Sequence, residues 1–296
     1  MGISPYPSCV SLPRMEPPYP SLLKFLCERF PQVPPEVWEL RMRQGKVLDE
    51  SGAPIGLATP FVPQMRLFYF RELEAEPRIP LNERILFEND QLLIACKPPF
   101  LPVMPSGPYI EECLLHRLRG KTGNPQLVLA HRLDRETSGL VLLSKTPQTR
   151  GLYAGLFSEG KIEKTYEAVA RLAQPPMRTS WLVENRLEKG APWFRMQATG
   201  GPVNARSRIR LMEVRGDLGL FRLSPLTGKQ HQLRLHMSGL GYPILNDRYY
   251  PELLPKQEDD FERPLQLLAR RLRFRDPVTK EEMEFETERK LSAWGD

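Results

Sequence analysis

The densest run of chemically useful side chains is His131-Arg132-Leu133-Asp134-Arg135-Glu136-Thr137-Ser138-Gly139. It lies between the apolar runs Leu127–Ala130 and Leu140–Leu143, so it must be a loop at the end of core strands. Arg132 and Arg135 flank Asp134, and a neighbouring cation favours an ionised carboxylate. An ionised, positioned aspartate can serve as a nucleophile or a general base. The same residue types also favour turns, because Asp134 and Thr137 can bond the local backbone. On residue types alone, a reactive loop and a structural turn both fit.

A second cluster is Thr227-Gly228-Lys229-Gln230-His231-Gln232-Leu233-Arg234-Leu235-His236, after the strand pattern Leu220–Leu223. Residues 230–238 suit a short helix with Leu233 and Met237 on one face. His231 and His236 are too awkwardly spaced to share a helix face, so no metal site is expected. Arg234 could hold a carboxylate in a bidentate pair, or belong to a solvated basic helix. Tyr166, in Lys164–Val169, reads as a core strand residue whose polar tip needs a partner. Strand alternation puts Arg206, Arg208 and Arg210 on one face. They and the later Arg263, Arg270, Arg271, Arg273 and Arg275 could track phosphates or simply face solvent.

These residues need a frame. The chain has 296 residues, 41% hydrophobic and 26% charged, with formal net charge +6. That fits a folded protein with room for one large core and a small accessory domain. Mild excess positive charge permits a polyanionic partner without requiring one. Cys9, Cys27, Cys96 and Cys113 form no CxxC pair, so structural thiols in a reducing cytosol are expected. No apolar run is long enough to span a bilayer, and no signal peptide is visible. A cytoplasmic monomer without membrane contact is the expectation.

Pro5, Pro7, Pro13, Pro17, Pro18 and Pro20 predict an extended mobile tail over residues 1–20. Residues 21–76 read as a small accessory module. Ser21 caps a first helix, Pro35 opens a second, and Gly45 ends it before an extended Lys46-Val47-Leu48. Residues 77–83 read as a linker. Residues 84–296 carry many strands and few crossover helices, which predicts an α+β fold. Its mixed sheet should be mostly antiparallel, with flanking helices.

In order, these segments resemble the RluA-type family of pseudouridine synthases. His131-Arg132-Leu133-Asp134-Arg135 with Thr137-Ser138-Gly139 matches that family's catalytic motif. Lys97-Pro98 with Leu101-Pro102-Val103 is similar to the segment that opens its catalytic domain. Lys164-Thr165-Tyr166 resembles the motif of its active-site tyrosine, and Thr227 through His236 that of its arginine. Tyr242-Pro243-Ile244 with Asp247 and Tyr250 looks like the segment that follows. Two departures stand out. Lys229-Gln230 replaces the usual Arg-Thr, and Leu268 stands where a histidine is common. Residues 21–76 occupy the place of an S4-type RNA-binding module, and an S4-like module or a divergent accessory domain both fit.

The resemblance implies a cofactor-independent isomerase converting uridines of ribosomal or transfer RNA to pseudouridine. It implies Asp134, Tyr166 and Arg234 as catalytic residues. Asp134 would attack C1′ or remove a ribose proton. Tyr166 would pack on the base, and Arg234 would pair with Asp134. Arg132 would fill the space left by the flipped uridine. Arg135, Lys229, His231, Gln232 and Arg206 are expected to contact RNA. A non-catalytic RNA-binding relative is the alternative, but it would have no need of all three catalytic residues. A glycosidase would need two facing acids, and only Glu136 is near.

Overall fold

The computed structural model of the chain describes residues 2–3, 7–16, 18–31, 33–70, 72–73, 76–174 and 176–295. They divide into two compact units, Met1–Pro77 and Arg78–Asp296, each with its own hydrophobic core.

In the smaller unit, the Ser21 hydroxyl accepts the Lys24 N–H at 3.2 Å and caps the helix Leu22–Arg29. Such a cap is worth ~1 kcal/mol. Pro35 starts the helix Pro35–Arg43, and Gly45, at φ 67°, turns the chain out of it. Both helices bury one face, through Leu22, Phe25, Leu26, Trp38 and Met42. They share that core with a three-stranded sheet, ordered Ser8–Ser11, Arg66–Tyr69, Val47–Leu48.

That sheet corrects the expectation of a mobile tail. Ser8–Ser11 pairs antiparallel with Arg66–Tyr69, and Val10 and Leu12 are buried. The prolines exclude a helix, but they leave a proline-free run, Ser8 to Leu12, that can pair as an edge strand. Pro5 and Pro17 lie outside the described residues. Residues 78–83 are not a linker either. Ile79 is buried in the larger core, and its N–H donates to Glu112 Oε2 at 3.0 Å. Arg117 donates to the Ile79 and Leu81 carbonyls at 2.7 Å each. The apolar side chains between the prolines are what anchor this stretch.

The larger unit runs Arg84–Glu88 (β1), Leu92–Lys97 (β2), Leu114–Thr122 (α1), Val128–Leu129 (β3), Ser138–Ser144 (β4) and Arg150–Ser158 (α2). It continues through Ile162–Arg171 (β5), Ser180–Lys189 (β6), Met196–Thr199 (β7), Ala205–Arg215 (β8) and Leu218–Pro225 (β9). Gln232–Gly239 (α3), Leu267–Arg275 (β10) and Glu282–Glu286 (β11) follow. The strands form one sheet, ordered β7-β6-β8-β9-β5-β10-β4-β2-β1, with β11 also on β10 and β3 also on β4. Chemical alternation explains its layers. In β2 and β4, Leu93, Ala95, Val141 and Leu143 face the core shared with α1, while Leu92, Ile94, Leu140 and Leu142 face the one shared with α2. Both faces are covered, so both strands read as continuous apolar runs. In β8, Ala205, Ser207, Ile209 and Leu211 are buried while Arg206, Arg208 and Arg210 are exposed. No helix among the described residues is long and apolar enough to cross a membrane.

Among the described pairings of this sheet, β4 with β10 is the parallel one. There Ser138 lies opposite Leu268, and Gly139 opposite Ala269. Gly139 has φ 112°, and a Cβ at that position would meet the Ala269 carbonyl oxygen at 2.3 Å. Only glycine lets these backbones close. The Ser138 hydroxyl donates to the Leu267 carbonyl at 3.3 Å, across 129 residues of chain. The Asp134 loop runs directly into this seam.

Candidate active site

Three anchors hold the Asp134 loop. His131 is half-buried and stacked on Phe157 of α2 with ring centroids 4.1 Å apart. Its Nε2 accepts the Leu142 N–H at 3.1 Å. Lys97, the last residue of β2, is fully buried and donates to the carbonyls of Pro98 (2.9 Å), Leu101 (2.8 Å) and Arg135 (2.9 Å). It therefore ties the residue after Asp134 to the end of β2. Burial pulls the Lys97 ammonium down to about 7, against the opposing pull of Glu136 and Asp134. Thr137 and Ser138, both buried, lead into the seam. Between these anchors the Asp134 side chain is 26% exposed, so it is positioned yet reachable.

Facing it is the start of α3. His231 has left-handed backbone, φ 52°, and begins the helix. His231 and Arg234 are three apart and share a helix face. His231 Nε2 lies 3.9 Å from Asp134 Oδ1, and Arg234 Nη1 lies 3.6 Å from Asp134 Oδ2. Arg234 Nη1 is also 3.6 Å from Glu136 Oε2.

The expected pairing of Arg234 with Asp134 is thus an ion pair through Nη1 alone, because the fork itself goes elsewhere. Nε and Nη2 donate to Asp247 Oδ2 and Oδ1 at 2.8 and 2.7 Å. Both side chains of that pair are only 1% exposed. Asp247 Oδ1 also accepts the Tyr249 and Tyr250 N–H groups at 2.8 and 3.1 Å. The guanidinium carbon stands 4.7 Å from the Tyr249 ring centroid. Burial works against the Arg234 cation, but Asp247 outweighs it and raises its pKa. Nη1 remains buried with no hydrogen-bond partner, aimed at the two carboxylates of the loop.

Tyr166 stands on β5, opposite Leu223 of β9, on the face that carries the main core. It is 9% exposed. Burial, then the charge of Asp134, raises its pKa, so it stays a neutral phenol. Burial likewise lowers the pKa of His231 despite Asp134, and its Nδ1 lies 3.1 Å from the Tyr250 hydroxyl. Asp134, Tyr166 and Arg234 thus come from three separated elements to one place.

The residues expected to touch RNA divide. Arg132 and Lys229 are exposed, with no ion partner among the described residues. Arg135 is committed to Asp259, through Nη1 to Oδ2 at 2.7 Å and Nη2 to Oδ1 at 2.6 Å. Gln232 is buried, and its amide is fully used. Nε2 donates to Arg206 O at 2.9 Å and Ser207 Oγ at 2.8 Å, while Oε1 accepts from Thr227 Oγ1 at 2.7 Å and Lys229 N at 3.1 Å. It braces α3 against β8 and has nothing left for RNA. His231 faces Asp134 from 7% exposure. Arg206 lies on the opposite sheet face from Tyr166, since Ile209, Leu223 and Tyr166 are in register. It pairs with Glu184 at 2.8 Å. The late arginines are largely matched too: Arg270 with Glu286 (2.9 Å) and Arg271 with Glu284 (3.0 Å).

Sequence reasoning assigned no role to Asp247, Glu136 or Lys97 in this constellation. Lys97 carried a signal, a lysine closing the otherwise apolar strand Leu92–Cys96. Asp247 was marked only as part of the segment that carries the family resemblance, and its pairing with Arg234 was hidden because it depends on a turn outside any helix or strand.

The His131 anchor has a pH signature. Burial pushes its pKa down to about 3, so the folded chain keeps the imidazole neutral. The unfolded chain, with a pKa of about 6.5, takes up a proton first as pH falls. Stability from this residue is therefore fully present above about pH 6.5 and is lost toward about pH 3. Between about pH 7 and about pH 5 the loss is ~2 kcal/mol. Urea unfolding at both values should show a drop of at least that size in the wild type, to which His236, lowered by burial to about 4, adds its own share, and His131→Gln should reduce the drop by ~2 kcal/mol. An identical drop in both proteins would refute a His131 held neutral in the fold.

Residues 91–239 match the family model described as RNA pseudouridylate synthase. The ribosomal large subunit pseudouridine synthase C of Yersinia pestis is 30% identical over 264 residues, covering 84% of this chain and 79% of that protein. The chain belongs to the RluA-type family of RNA pseudouridine synthases. As a pseudouridine synthase it is an isomerase acting on RNA. The matched region takes in Asp134, Tyr166 and Arg234 but stops short of Asp247. The mitochondrial tRNA pseudouridine(32) synthase of Saccharomyces cerevisiae is 31% identical over 175 residues, 56% of this chain and 37% of that enzyme. Human RNA pseudouridylate synthase domain containing 4 superposes with TM-score 0.54 at 27% identity, covering 69% of this chain and 87% of the human one. The α+β expectation agrees with that likeness.

Proposed function

We propose that this synthase acts on uridines of ribosomal or transfer RNA, with Asp134 as the group that acts on the target ribose. Pseudouridine formation breaks N1–C1′, turns the uracil and joins C5 to C1′; the C5 proton leaves and N1 gains one. The change is redox-neutral and consumes no water, so the chemistry asks for no cofactor. Asp134 either attacks C1′ or accepts a ribose proton. Tyr166 packs on the base and serves the proton transfer at C5, as a neutral phenol can. Arg234 keeps a cationic edge on Asp134.

The observation that carries this assignment is Arg234 Nη1. It is a buried donor without a hydrogen bond, 3.6 Å from Asp134, on a guanidinium whose fork Asp247 already fixes. Such an arrangement is preorganised to stabilise charge that shifts during reaction. Arg132, exposed beside Asp134, is the side chain to enter the stack when the uridine flips. Residues 21–76 form a small accessory module, either S4-like or a divergent accessory domain. The described cysteines form no disulfide, which suits the cytoplasm, where a monomer would act.

The test is pseudouridine mapping of ribosomal and transfer RNA from cells lacking the gene, with and without complementation. Loss of a discrete site, restored by wild type and not by Asp134→Asn, is the expected result. An unchanged map would sink the proposal.

A further inference from the structure

Strands β6 and β7 form a hairpin in which Arg186 pairs with Thr199 and Lys189 with Met196. Its tip is closed by Gly190 N–H donating to Arg195 O and Arg195 N–H to Pro192 O, both at 2.9 Å. The base of the tip is fastened beside the active site. Met196 N–H donates to the Tyr250 hydroxyl at 2.8 Å, and that hydroxyl lies 3.1 Å from both Met196 O and His231 Nδ1. Arg195 Nη2 donates to Pro251 O at 3.0 Å, and its guanidinium covers the Tyr250 ring at 5.0 Å. Gln230 Nε2 donates to Phe194 O at 3.4 Å.

From this fixed base an aromatic path leads outward. Tyr249 lies under Arg234, Phe194 meets Tyr249 at 5.5 Å, and Trp193 meets Phe194 edge-on at 5.9 Å. Trp193 is 77% exposed, so its ring is not core packing. Lone exposed apolar residues are ordinary. This one differs in its setting, on a braced hairpin one ring away from the Phe194–Tyr249 contact with the Asp134 site. Lys189 and Lys229 are exposed on the segments that flank the tip and the start of α3. Single-stranded nucleic acid is bound by this combination, aromatic faces for bases with cations for phosphates.

Resting on the function proposed above, we infer that Trp193, carried by Phe194, is a stacking platform for a base flanking the target uridine. The platform takes any base by its π face and so contributes affinity and position rather than base identity. Trp193 is then a positioning residue, and Asp134 does the chemistry.

The test uses the full-length wild type, Trp193→Ala and Trp193→Phe. Binding of a decameric oligouridylate is followed by fluorescence anisotropy, and turnover by tritium release from unmodified ribosomal and transfer RNA transcripts. Trp193→Ala should weaken oligouridylate binding about tenfold and raise KM by a similar factor, with the smaller effect on kcat. Trp193→Phe should recover most of both. Wild-type tryptophan fluorescence should be quenched by the oligonucleotide, and most of that quenching should vanish in Trp193→Phe. Equal affinities in all three proteins would overturn the platform. So would a fall in kcat at unchanged KM, or a wild-type self-association in sedimentation that Trp193→Ala abolishes. A wild type that binds and quenches but turns over no transcript would count against the proposed RNA classes and leave the platform standing.

Discussion

Asp134→Asn is expected to lower tritium release from substrate RNA by at least ~10³-fold while RNA binding stays within a few-fold of wild type. Asparagine has nearly the same shape, and the side chain is 26% exposed, so the fold should tolerate it. The His131 and Lys97 anchors do not use the carboxylate. What is lost is the charge. A neutral amide neither attacks C1′ nor accepts a ribose proton at useful rates. Glu136 is a neighbouring acid that also faces Arg234 Nη1. Asp134→Asn/Glu136→Gln, tested beside the single variant, asks whether Glu136 substitutes. Single-variant turnover near the wild-type rate would remove Asp134 from the chemistry.

The second large effect is expected at Asp247. Asp247→Ala leaves the Arg234 cation 1% exposed without its bidentate partner. Breaking a buried pair from one side costs ~3–5 kcal/mol. The Tyr249 and Tyr250 N–H groups lose their acceptor as well. Urea unfolding should show a loss of that size, and tritium release should collapse because the freed guanidinium no longer holds its angle to Asp134. Pairing the change with Arg234→Met removes the stranded charge and should recover most of the stability. It should recover none of the turnover. That split separates a structural ion pair from one that also serves catalysis. A double variant that is both stable and active would remove Arg234 from the site.

Parts of this site were legible in the chain itself. Asp134 sits between two apolar runs, so its place at a strand end followed from hydrophobic patterning. Strand alternation in β8 correctly separated the exposed arginines from Ile209 and Leu211. It could not say that the arginine face is the one turned away from Tyr166, because that depends on register across β9 and β5. Gln232 looked like a polar residue free to bind RNA, yet partners at 206, 207 and 227 consume its amide. Arg135 looked like its neighbour Arg132, but Asp259, 124 residues further on, claims it. The strand Ser8–Ser11 was hidden by the prolines around it. In each case the missing information is a long-range partner, which local composition does not encode.

The seam at Gly139 also bears on how the protein is made. Asp134 leaves the ribosome well before Leu267, the residue whose carbonyl fastens the far side of its loop 129 positions after Ser138. At translation rates of ~5–20 residues per second, that interval is roughly ten seconds. Throughout it, the nascent chain carries its aspartate without the β10 strand that closes the sheet beside it. Competence therefore arrives late and all at once, and a half-made chain tethered to a ribosome has no finished site with which to modify the RNA around it.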